Sequence, residues 1–150
     1  TDTPPPSATP IPTATLTLEP LANVRYEEHL SALERTMQNN RSILEFIQIQ
    51  WNPETRFNPV CSPQQIGSPY TLPQDQQGDP DLDEAVLLVE SALNDAAEAD
   101  RLFIENCPAS LNTDPNVDPT LTGLTLINGA LAKFDMAQEI IDALRIKVAN

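Results

Sequence analysis

Asp79, Asp81, Asp83 and Glu90 fall at positions 1, 3, 5 and 12 of a calcium-loop spacing, with apolar Val86 at position 8. Hard oxygen donors in that order suit Ca2+. The pattern breaks at position 6, where Glu84 replaces the glycine of the sharp turn, and at position 2, which is Pro80. The same acids are also what the start of a helix calls for, because its dipole favours negative charge there. Asn112, Asp114, Asn116 and Asp118 form a second oxygen-rich run with the same two readings. Calcium is therefore the one candidate cofactor, against a default of none.

The other chemistry resides in sulfur. Cys61 and Cys107 are the only cysteines, each close to a proline. They lack the C-x-x-C spacing of a zinc knuckle or redox pair. A Cys61–Cys107 disulfide is expected. Such a link would stabilise the fold by roughly 4 kcal/mol on the chain-entropy model and implies an oxidising, extracytoplasmic setting. Nucleophilic catalysis lacks support: His29 is the only imidazole, and no serine lies in a Gly-x-Ser-x-Gly elbow. A di-iron bundle needs Glu-x-x-His, and position 26 is Tyr26. The four glycines form no phosphate-binding loop. No catalytic residue is assigned, and the expectation is a protein that is not an enzyme.

Three helices must position these groups. In residues 21–51, Tyr26, Leu30, Leu33, Met37, Asn40, Leu44, Ile47 and Trp51 follow alternating four- and three-residue steps, a heptad seam with one polar member. Ile43, Phe46 and Ile49 lie off the seam, so that end should be deeply buried or meet a partner. Phe46, Ile49 and Trp51 are thus candidate interaction residues. Residues 81–107 carry Val86, Val89, Leu93, Ala96, Phe103 and Cys107 on one stripe, interrupted by Asp100. Asp81 and Glu84 have capping-box-like spacing. Residues 119–148 repeat the pattern with Leu124, Ile127, Leu131, Phe134, Ala137, Ile141, Leu144 and Val148, opened by Asp118-Pro119. Gly123 and Gly129 weaken that helix by roughly 1 kcal/mol each against alanine. Close backbone approach, with Ala92, Ala96 and Ala99 opposite, should compensate. Asn40-Arg41-Ser42 matches a glycosylation sequon but lies within the seam.

Residues 52–79 form a long proline- and glutamine-rich connection, uncommon inside one domain unless it is a crossover or carries function. The second helix is about 40 Å long, and the segment from Trp51 to Cys61 reaches about 35 Å at most. The sulfur link is easiest if the first two helices run parallel. The connection then returns along the bundle.

Residues 1–20 are dominated by threonine and proline and cannot bury enough surface to fold alone. The stretch resembles the Thr/Pro spacers that follow the signal peptide in many secreted or surface-attached bacterial proteins. That resemblance implies an extracellular or cell-surface address and attachment to a surface; separately, Ser/Thr-rich composition with proline is typical of O-glycosylated stalks, with Thr9, Thr13 and Thr15 as candidates. Thr15-Leu16-Thr17-Leu18 alternates like a short edge strand able to pair with a partner.

The chain has 22 acidic and 8 basic residues and a net charge of −14. Without clustered Lys and Arg, nucleic acid is excluded as a partner. No apolar run approaches the ~20 residues of a transmembrane segment. The expectation is an all-α protein: a three-helix bundle (residues 21–150) with a long crossover loop between helices 1 and 2, one disulfide and an extended Thr/Pro-rich spacer (residues 1–20). Its expected role is as a non-enzymatic structural or interaction subunit of an extracellular or cell-surface assembly, with protein partners or self-assembly. The alternatives are a secreted ligand- or calcium-binding helical module and an accessory subunit of an extracytoplasmic complex.

Overall fold

A computed structural model describes residues 2–7, 14–51, 64–67, 70–72, 74, 77–106 and 119–149, with side chains described from residue 25 in the first helix and residue 121 in the last. The architecture is all-helical: α1 (Ala14–Trp51), α2 (Pro80–Asn106) and α3 (Pro119–Ala149), with no strand among the described residues. Among those residues, no helix is long and apolar enough to cross a membrane.

The three seams form one core. On α1, Leu30, Leu33, Met37, Leu44, Ile47 and Trp51 are buried. On α2 the buried face is wider than the single stripe, because Leu82, Ala85, Ala92 and Ala99 join Val86, Val89, Leu93, Ala96 and Phe103. On α3, Ile127, Ala130, Phe134, Ala137, Ile141 and Leu144 close it. The α2–α3 contact is the most extensive and α1–α2 the least. Alanines on both facing surfaces let the α2 and α3 backbones approach closely.

Contacts at both ends fix the helix directions. Tyr26 Oη, early in α1, donates to Asp79 Oδ2 at the start of α2 (3.0 Å). Trp51, the last residue of α1, stacks edge-on against Phe103 near the end of α2 (5.3 Å). α1 and α2 are therefore parallel. α3 is antiparallel to α1: Gln48 donates to Asn128, and Arg145 donates to Glu27 at the other end.

The sequence reading needs several corrections. α1 begins at Ala14 rather than residue 21. Thr15, Leu16, Thr17 and Leu18, expected as a strand, are helical, since a four-residue alternation is too short to separate the two periods. Within the expected spacer, residues 2–7 are exposed and outside any helix, and residues 14–20 belong to α1. α2 begins at Pro80, and its cap is Asp79 rather than Asp81. Asp79 Oδ1 accepts from the backbone N–H groups of Asp81 (3.1 Å) and Leu82 (3.3 Å), with Pro80 in the favoured first helical position. Ile49 is 58% exposed, whereas Trp51 is buried. Gly123 makes its close approach to α1 instead of α2: a Cβ there would lie 2.1 Å from the Trp51 ring. Gly129 makes none, its nearest neighbour being Asp95 Oδ2 at 3.9 Å. Cys61, Cys107, Thr9, Thr13 and the run from Asn112 to Asp118 lie outside the described residues.

Candidate functional site

The polar members of the seams, anomalous in a heptad pattern, share one task. Asn40 is 2% exposed. Its Nδ2 donates to the Thr36 carbonyl (2.7 Å), and its Oδ1 accepts from the Gly67 backbone N–H (2.8 Å). Asp100, the interruption on α2, is 8% exposed and accepts from the Gln64 backbone N–H at 3.2 Å. Burial pushes its carboxyl above the usual range, and the Gln64 bond opposes that. His29 Nδ1 shares a hydrogen bond with the Tyr70 hydroxyl. Leu72 is buried in the core. Tyr26 then holds Asp79, and its own pKa is raised, first by burial and then by that acceptor. The described residues between Gln64 and Asp79 thus form a strap. It is pinned successively against the end of α2, the middle of α1 and the start of α1.

Where the strap lies beside α2 it leaves a cleft of about 370 Å3, lined by Thr71, Leu72, Gln77, Asp83, Val86, Leu87 and Glu90. Leu72, Val86 and Leu87 make its apolar floor. Leu87 is 64% exposed. Asp83 and Glu90 stand seven residues apart on the same α2 face, about 10 Å along the axis, and flank that floor.

The four acids of the calcium spacing do not converge. Asp79 is spent on the α2 cap and Tyr26. Asp81 lines a separate, smaller cleft of about 230 Å3 with Ile140, Ala143, Leu144 and Lys147. Only Asp83 and Glu90 share a site. The loop that an EF-hand geometry needs is replaced by regular helix from Pro80 onward. No group of three or more metal-ligating side chains occurs among the described residues. Of the expected interaction residues, Phe46 packs partly against the core and Trp51 is inside it. The Trp51 Nε1–H has no acceptor among the described residues.

Charge is distributed unevenly. Arg145 binds Glu27 and Glu34 and holds the Glu34 carboxyl below its ordinary range. Lys133 binds Asp95 and Ser91; Arg41 binds Asp135; Arg101 binds Glu98 and Glu105. The first three turns of α2 lack such neutralisation. Asp81, Asp83, Glu84 and Glu90 form no ion pair among the described residues. Sequence reasoning missed the cleft because Thr71, Leu72 and Gln77 belong to the connection. The available signal was Leu87, a large apolar residue off the stripe between two acids. Compared with protein-family models, curated proteins and solved structures, the chain matches none.

Proposed function

We propose that this chain is a non-enzymatic structural or interaction subunit of an extracellular or cell-surface assembly. The observation that carries the reading is the cleft beside α2. It offers an apolar floor opened by exposed Leu87, between carboxylates that form no ion pair among the described residues. The seam's buried polar side chains support it: Asn40 and Asp100 act on the chain's own backbone rather than on a reacting group. The extracellular address rests on the expected Cys61–Cys107 link and the Thr/Pro-rich start.

Two measurements test the reading. Sedimentation of the natively isolated protein should give a particle above the 16.5 kDa of this chain, and mass spectrometry without reductant should find no free thiol. A monomer at all concentrations with no bound partner counts against the assembly role, and two free thiols count against the address. A volume of about 370 Å3 also lies at the lower end of small-molecule sites. That favours a secreted ligand-binding module as the second reading.

A further inference from the structure

We propose that the cleft formed by Leu72, Val86 and Leu87 between Asp83 and Glu90 docks a protein segment that presents an apolar side chain flanked by lysine or arginine. The inference rests on the interaction-subunit reading and supplies the chemistry of its partner. The floor accepts one aliphatic or aromatic side chain, since Leu87 is largely in water and Leu72 and Val86 form the wall behind it. Asp83 and Glu90 are about 10 Å apart along α2. Cations match that separation on one face at i and i+3 of a polyproline II segment, or about two turns apart on a helix.

Charge complementarity decides for a basic occupant over a neutral or acidic one. The other helix faces carry their own cations: Arg145 against Glu27 and Glu34, Lys133 against Asp95, Arg101 against Glu98 and Glu105, Arg41 against Asp135. The cleft rim carries none among the described residues. Glu84, one residue on from Asp83, adds to the negative charge of the first turns of α2, whereas Asp81 lies apart in the cleft that Lys147 lines. At a net charge of −14, long-range attraction also favours a basic partner over a second copy of this chain.

The test uses the full chain, uniformly 15N-labelled, and three capped tetrapeptides: Lys-Leu-Ala-Lys, Lys-Ser-Ala-Lys and Glu-Leu-Ala-Glu. The first should shift the amides of Leu72, Val86, Leu87 and Glu90. Its affinity should fall at least about fivefold from low salt to near-physiological salt. The serine and glutamate peptides should bind at least about fivefold more weakly. Leu87→Ser, at an exposed position, and the D83N/E90Q pair should each weaken the first peptide by a similar factor while leaving the circular dichroism unchanged. Equal binding of the glutamate peptide, or shifts spread over every acidic face, overturns the proposal. If Leu87→Ser instead dissolves self-association of the parent, the occupant is a second copy and the proposal is again wrong. A native particle above monomer mass with no cleft response removes this docking chemistry but leaves the interaction-subunit reading intact; loss of both removes both.

Discussion

Replacing Gly123 by alanine should destabilise the protein even though alanine is the better helix former. The helical preference favours alanine by roughly 0.5–1 kcal/mol. Against that, the new methyl would sit 2.1 and 2.2 Å from two carbons of the Trp51 ring, well over 1 Å inside normal contact. The ring cannot simply swing away. Trp51 is 2% exposed and has the edge of Phe103 against it. Forcing extra volume into such a site costs about 1–3 kcal/mol, occasionally more, so the net loss should be about 1–2 kcal/mol. For a domain of this size that corresponds to a fall of roughly 2–8 °C in Tm. Urea unfolding followed by far-ultraviolet circular dichroism, a probe that survives loss of the only tryptophan, measures it directly. Gly129→Ala is the internal control. Its nearest neighbour is 3.9 Å away, so the same substitution should stabilise by about 0.5–1 kcal/mol. Trp51→Phe, which removes the far ring, should recover part of the Gly123→Ala loss in a double-mutant cycle. A Gly123→Ala variant as stable as the parent would refute the claim that this glycine exists to seat the indole.

Asn40→Ala should cost about 1–3 kcal/mol, because the Gly67 N–H loses its buried acceptor, and hydrogen exchange at Gly67 should accelerate more than in the middle of α2. Asp100→Asn keeps an acceptor for Gln64 but removes a buried charge. Burial raises the folded pKa of Asp100, so its favourable contribution is present below the unfolded value of about 3.9 and is lost as pH rises through the folded value. The variant should therefore exceed the parent in Tm at neutral pH, with the difference shrinking on acidification; an unchanged difference argues against that assignment. Glu34 runs the other way. Its pKa is lowered chiefly by the Arg145 bond, so its contribution is present above about 4.3 and disappears as pH falls through the depressed value. Glu34→Gln should flatten the acid side of the Tm profile, and a profile identical to the parent's would remove Arg145 as the cause.

The three helices were legible because their seam positions recur at three- and four-residue steps seven or eight times, with a single polar member, Asn40 or Asp100, in each of the first two. Leu30, Leu33, Met37, Leu44 and Ile47 of the α1 seam are all buried. Chain-length reasoning about residues 52–61, built on a Cys61–Cys107 link that lies outside the described residues, also arrives at the parallel α1 and α2 that the Tyr26–Asp79 and Trp51–Phe103 contacts define. What periodicity cannot carry is where a helix frays into polar chain. The sequence places the first helix at residues 21–51, yet α1 starts at Ala14. Pro20 then lies inside α1, where a proline forfeits a backbone donor and crowds the carbonyl four residues back, so in sequence it reads as a helix boundary. The α2 cap was misplaced by two residues because Asp79 and Asp81 are chemically equivalent, and only the position of Pro80 separates them. The cleft was illegible for a different reason. Three of its seven lining residues, Thr71, Leu72 and Gln77, belong to the strap, whose position depends on tertiary hydrogen bonds between residues 27 or more positions apart.

Those bonds also explain why a seam tolerates Asn40 and Asp100. Parallel helices joined by a long return segment leave a groove between them, and α1 and α2 do make the least extensive contact of the three pairs. Filling that groove with extended chain brings backbone N–H groups into the interior, where each needs an acceptor. Asn40 and Asp100 supply acceptors at the two depths where Gly67 and Gln64 pass. Gly67 is small because Asn40 Nδ2 would lie 2.9 Å from any Cβ there. An apolar residue at either seam position would improve the helix pair and orphan the strap. The strap carries Leu72 into the core and sets one wall of the α2 cleft. The two polar seam residues therefore act on the candidate site without touching it, by deciding whether its second wall is in place.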